Sequence, residues 1–129
     1  MTKNAEFIIY SGPEFTLEWF YDEKGKSDSL EYFNELEEGI QRKFLYLVKR
    51  MGDAGRINDK TAFNNEHGKI WAFKPQPHRF LCFFVEGKKI IVTNAFYKKQ
   101  QTLPVEEKNR ALRRKSSYER RIKEGTYYG

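Results

Sequence analysis

Apolar and polar residues alternate through Glu14-Phe15-Thr16-Leu17-Glu18-Trp19-Phe20-Tyr21-Asp22, with Phe15, Leu17, Trp19 and Tyr21 in phase. A period of two predicts a strand with one buried face. The shorter run Phe7-Ile8-Ile9-Tyr10, closed by Ser11-Gly12-Pro13, predicts a companion strand. Then the period changes. Leu30, Phe33, Leu36, Ile40, Phe44, Leu47, Val48 and Met51 recur at helical spacing and predict a single apolar helix face. Asp28, with Glu31 three positions later, has the spacing of a capping box and predicts the helix start. Gly39 costs about 1 kcal/mol relative to Ala inside a helix, so the run should break there into two helices. Gly52 and Gly55 are expected to end the second.

Three strands should follow. Lys69-Ile70-Trp71-Ala72-Phe73-Lys74 is the first, and Pro75-Gln76-Pro77 turns the chain. His78–Val85 and Lys89–Phe96 are strongly β-forming and joined by Glu86-Gly87, read as a two-residue hairpin turn. Their near-continuous apolar character predicts cover on both faces. Pro104 and Gly125 frame a last helix, with Glu106 and Glu107 in its first turn. Its apolar stripe of Val105, Ala111, Leu112, Tyr118 and Ile122 is thin and set among many Lys and Arg, so much of it should face water or a ligand. The order predicts an α+β fold: a small twisted antiparallel sheet, two helices from the first half packed on it, and a basic C-terminal helix. One domain over residues 1–129 is expected from the length.

Composition narrows the function classes. Aromatic residues make up 16% of the chain, enough apolar area to argue against disorder. No run reaches the ~18 apolar residues of a membrane helix, and Met1-Thr2-Lys3-Asn4 does not lead into a signal-peptide core. The single cysteine, Cys82, excludes an internal disulfide or a multi-cysteine zinc site, and its apolar neighbours mark it as a core residue. A cytoplasmic location is the expectation. His67 and His78 are the only histidines, neither with a metal-ligand partner at a useful spacing, and no glycine-rich phosphate loop occurs. No metal and no cofactor are expected. The net charge of +6 divides unevenly: residues 1–66 carry −4 and residues 67–129 carry +10. A strongly basic half points to a polyanionic partner.

Strand pairing should concentrate that charge. A hairpin turning at Glu86-Gly87 sets Arg79 opposite Asn94 and brings the start of its strand beside Tyr97-Lys98-Lys99. With Lys74 and His78, one rim then gathers the residue types that hold a phosphodiester: Arg for two oxygens, Lys as a point charge, His or Tyr for proton transfer. Spacing alone leaves an ordinary solvated rim equally open.

The stretch from Gly68 to Arg114 carries a resemblance. Gly-Lys-Ile-Trp-Ala-Phe-Lys, His-Arg-Phe-Leu-Cys-Phe-Phe-Val, and Asn-Ala-Phe-Tyr-Lys-Lys-Gln-Gln-Thr-Leu-Pro before a basic helix form an ordered set. The set resembles the RelE/HigB toxin superfamily, in its phage-derived HigB-like branch, over most of the chain after residue 14. That resemblance implies a type II toxin: a ribosome-associated mRNA endonuclease that needs no metal and is neutralised by a cognate antitoxin, a helix-turn-helix protein. It implies catalytic roles for Arg79 at the scissile phosphate, for Lys98 and Lys99 in charge stabilisation, and for Lys74 and His78. Lys69, Tyr97, Arg110, Arg113, Arg114 and Lys115 would then bind RNA.

The chain departs from the family pattern where Ile70 and Ala72 stand at positions usually charged, where His78 replaces a Tyr, and where Gln101 replaces a basic residue. The general base is left between His78 and Lys74. Two other readings stay open: a non-catalytic toxin of the RelE/ParE fold that binds a protein such as a topoisomerase, and an RNA- or ribosome-binding protein without toxicity.

Overall fold

A computed structural model describes residues 6–129, so the opening Met1–Asn4 segment lies outside the described residues. The elements run β1 (Ile8–Ser11), β2 (Thr16–Trp19), α1 (Asp28–Asn34), α2 (Glu38–Ala54), β3 (Phe63–His67), β4 (Ile70–Phe73), β5 (His78–Val85), β6 (Lys89–Tyr97) and α3 (Val105–Glu124). Six strands form one sheet in the order β1-β2-β6-β5-β4-β3. Neighbours are antiparallel except β2 and β6, which run parallel. This is the expected α+β architecture with one strand more than the sequence suggested. Among the described residues no helix is long and apolar enough to cross a membrane.

The two faces of the sheet carry different helices. Trp19, Phe73 and Phe80 meet Phe44 of α2, with ring centroids 4.1–5.9 Å apart. Phe83, three positions after Phe80 and therefore on the opposite side of β5, packs edge-on against Tyr118 of α3 at 5.6 Å. Phe44, Phe73, Phe80 and Phe83 are all essentially inaccessible. Truncating one of these rings to Ala is expected to cost about 3–5 kcal/mol.

Several boundaries differ from the sequence reading, each for a local reason. Ser27, not Asp28, caps α1: its side chain accepts from the Leu30 amide, while Asp28 is the first helical residue. The break between helices falls at Glu35-Leu36-Glu37, and Gly39 lies within the first turn of α2. Gly55, at φ 79°, ends α2, but Gly52 is buried inside it. A Cβ at Gly52 would lie 2.7 Å from the Tyr10 ring, so close approach of β1 explains that glycine. β2 is shorter than its alternation, and Glu18 and Phe20, expected to face outward, are buried as well. The C-terminal residues cover that side: Tyr128 donates to Glu18, and Tyr127 packs near Phe20.

The β5–β6 hairpin also corrects the sequence. Val85 pairs with Lys89 across a three-residue turn, and the register shifts between Leu81 and Cys82 because β6 carries one extra residue at Thr93. Arg79 therefore sits opposite Phe96, not Asn94, and Leu81 faces Asn94. Of the stripe expected on α3, Ala111 and Tyr118 are buried, whereas Val105, Leu112 and Ile122 point outward, being 65%, 36% and 41% exposed. Arg121 is buried beside the first two. Arg121 reaches over the Tyr127 ring and donates to the carbonyls of Tyr21 and Asp22, so a cation closes the seam that an aliphatic residue was expected to fill.

Candidate functional site

The rim where β4 ends, β5 begins and β6 ends carries Lys74, Arg79 and Lys98. Each residue there is aimed by strand alternation. Arg79, second in β5, faces the α3 side and is 6% exposed. Its Nη1 donates to Gln76 Oε1 and to the His78 carbonyl, each at 3.0 Å. Lys74 follows β4, and its Nζ lies 3.6 Å from Glu66 Oε2 of β3. Lys98 follows β6 and is tied down by its amide, which donates to the Pro77 carbonyl at 3.0 Å. Arg79, Lys74, Lys98 and Glu66 line one polar cleft of about 220 Å³ with Asn64, Phe96 and the 100–104 loop.

The electrostatics follow from that crowding. Burial pushes the Lys74 ammonium below the usual lysine range, Glu66 opposes the shift, and Arg79 and Lys98 push it further down. Burial likewise lowers Arg79, with Glu66 in partial opposition. Asn64 Oδ1, buried in the cleft wall, has no hydrogen-bond partner among the described residues. An unsatisfied acceptor beside three cations is an opening for a ligand that carries both a donor and negative charge.

The rest of the expected constellation is divided from this cleft. His78 precedes Arg79, so its ring lies on the other side of the sheet. There its Nδ1 shares a 2.6 Å hydrogen bond with the Tyr32 hydroxyl, and its ring meets Tyr97 edge-on. Burial lowers its pKa, with Glu37 acting against the shift. Lys99 is exposed and lines a separate depression with Tyr32 and Tyr97. The rim thus gathers Arg79, Lys74 and Lys98 but sends His78, Tyr97 and Lys99 elsewhere.

The expected RNA-binding residues also separate. Lys69 occupies the Gly68-Lys69 turn at the far end of β4 from Lys74, away from the cleft. Arg114 donates to the Thr93 carbonyl at 3.0 Å and pairs with Asp28, tying α3 to α1 past the part of β6 that lacks a β2 neighbour. Lys115 pairs with Glu119 and lies over the Phe83 ring. Both side chains therefore make contacts within the fold. Arg110 pairs with Glu107 at 2.9 Å, and Arg113 is exposed with no ion pair among the described residues. Ile70 and Ala72 are fully buried on the α3 face of the sheet and contribute no polar group.

Sequence reasoning missed Glu66, Asn64 and Gln76. Glu66 and Asn64 lie on β3, whose only fully apolar residue is Phe63, so no hydrophobic pattern announced it. The available signal was Gly68, at φ 55°, between a polar run and an apolar one, a hairpin connection. Among the described residues no group of three or more His, Cys, Asp or Glu is placed to hold a metal ion.

Comparison with known families bears on this geometry. Residues 31–116 match the family described as phage derived protein Gp49-like (DUF891). The chain belongs to the Gp49-like family. That family is toxin-like, of RelE/HigB type. The Gp49-like match runs from α1 into α3 and contains every residue of the cleft. It leaves β1, β2 and the end of α3 outside. No curated protein matches the chain.

Proposed function

We propose that this Gp49-like chain is a type II toxin acting as a metal-independent, ribosome-associated endoribonuclease on mRNA, and that a cognate antitoxin restrains it. The observation that carries the reading is the convergence of Arg79, Lys74 and Lys98, from three strand ends, with the carboxylate of Glu66 in one polar cleft. Three cations suit a phosphodiester, and a carboxylate among them suits proton transfer.

The chemistry needs two proton movements. A 2′-hydroxyl loses its proton to Glu66 as its oxygen attacks the adjacent phosphorus. The bond from phosphorus to the 5′-oxygen breaks, and that oxygen takes a proton from Lys74. The products are a 2′,3′-cyclic phosphate and a 5′-hydroxyl end. Arg79 and Lys98 hold the non-bridging oxygens as negative charge grows on them. Burial and the neighbouring cations make Lys74 a better acid than an ordinary lysine, and its 3.6 Å approach to Glu66 suits return of the proton after each turnover. Asn64 Oδ1 is free to accept from a sugar hydroxyl. His78, bonded to Tyr32 on the other face, takes no part.

Induced expression should arrest growth, with new mRNA 5′ ends at ribosome-occupied codons in primer extension. Arg79→Ala should abolish both with an unchanged circular-dichroism spectrum. Glu66→Gln should lower the cleavage rate by about 100- to 10,000-fold. Arg79→Ala, Lys98→Ala and Lys74→Met variants as toxic as wild type would overturn the assignment. A second reading draws on Ile70 and Ala72, which put buried apolar groups where a catalytic strand would carry charge. It is a toxin that binds without cutting, recognised by growth arrest with no new 5′ ends.

A further inference from the structure

Beside the cleft, and sharing Lys74 with it, an apolar groove of about 460 Å³ runs between α2 and the loops before β3 and after β4. Its volume lies within the roughly 300–1,000 Å³ typical of small-ligand pockets. Tyr46 lines it with 64% of its surface exposed, although Phe44, two positions earlier, is fully buried. Arg42, Lys43 and Lys74 stand around the same groove. Two carboxylates face these cations: Glu38, exposed, lies 3.3 Å from Arg42, and Glu66 lies 3.6 Å from Lys74. Gln76 joins the two sites: its Oε1 accepts from Arg79 at 3.0 Å, its Nε2 donates to the Thr61 carbonyl at 2.9 Å, and it forms part of the groove wall.

We infer that this groove takes one nucleobase of single-stranded RNA, stacked on Tyr46, from the nucleotide next to the phosphate held by Arg79 and Lys74. The inference rests on the RNA reading of the cleft. An apolar surface with a fringe of cations matches a base on an anionic backbone, whereas a second phosphate site would be polar like the neighbouring cleft. Lys74 lines both sites and Gln76 bonds Arg79 from the groove wall, so one bound strand can occupy the two together. Stacking on a tyrosine face is tolerant of base identity, so the groove would add affinity more than sequence preference.

The test is fluorescence anisotropy at low salt with a 2′-O-methylated RNA tetranucleotide, which cannot be cleaved, and with its counterpart carrying one abasic position. Tyr46→Ala, an exposed change with little effect on folding, should weaken binding by about 5- to 100-fold, and Tyr46→Phe should restore it. The abasic oligonucleotide should lose the same factor against wild type and nothing further against Tyr46→Ala. If Arg79→Ala weakens binding but Tyr46→Ala does not, the groove inference is wrong and the reading of the cleft stands. If wild type fails to bind the oligonucleotide at all, both are wrong.

Discussion

Arg79→Met separates a functional cation from a structural one. The guanidinium is held within a residue only 6% exposed, and its two protein acceptors, Gln76 Oε1 and the His78 carbonyl, are neutral. Glu66 attracts it but is already engaged with Lys74. Burial lowers the Arg79 pKa more than Glu66 restores it, so folding works against this charge. Methionine keeps the packing of the stem and removes the charge. The loss is two bonds from a charged donor, about 1.5–3 kcal/mol each before their acceptors are rehydrated at the cleft edge. The gain is relief of a desolvation cost of several kcal/mol per buried ion. These are of similar size, so stability should stay within about 1 kcal/mol of wild type. Activity should not survive. Two charge-assisted bonds to a phosphate are worth about 3–6 kcal/mol, or roughly 150- to 25,000-fold in kcat/KM. Urea denaturation midpoints and RNA cleavage rates on the same preparations measure both. A variant that unfolds more than 3 kcal/mol earlier in urea, roughly the worth of a structural buried ion, would sink the argument. So would one that cleaves within a few-fold of wild type.

Other expectations follow from single contacts. Burial lowers the His78 pKa in the folded chain, whereas the unfolded chain protonates it near its ordinary value of about 6.5. Its contribution to stability is therefore complete above that pH and fades as pH falls below it; His78→Gln should flatten the dependence in urea unfolding at pH 7.5, 6.5 and 5.5, and an unchanged slope would contradict this. Gly52→Ala should lose about 1–3 kcal/mol to the clash with the Tyr10 ring. Helix propensity alone would raise stability, so a gain in urea midpoint would refute the close-packing account. Arg114→Ala should lose about 1–2 kcal/mol by leaving the Thr93 carbonyl and Asp28 unpaired. Arg113→Ala should leave stability unchanged but lower RNA affinity and the slope of its salt dependence; the reverse pattern in anisotropy and urea titrations would exchange their roles.

What the residues determined by themselves was mostly periodicity. Helical spacing from Phe44 to Met51 specified the face of α2 that is buried, and the apolar runs of β5 and β6 specified a doubly covered sheet. These patterns are local, and burial of their apolar faces is the main force on them. The cleft was half legible. Arg79, Lys74 and Lys98 could be named from the chain because antiparallel pairing brings strand ends together whatever the register. Which of their neighbours shared that space could not. A single extra residue at Thr93 reset the partner of Arg79, and the alternation of side chains sent His78 and Lys99 to the opposite face. Glu66 entered from β3, a strand too polar to leave a hydrophobic signature, and it reaches Lys74 only because the Gly68 turn folds β3 back on β4. Tertiary structure alone decided these matters, because a charge has no periodicity of its own. Its surroundings are set by backbone pairing over many residues, and its chemistry is set by its surroundings.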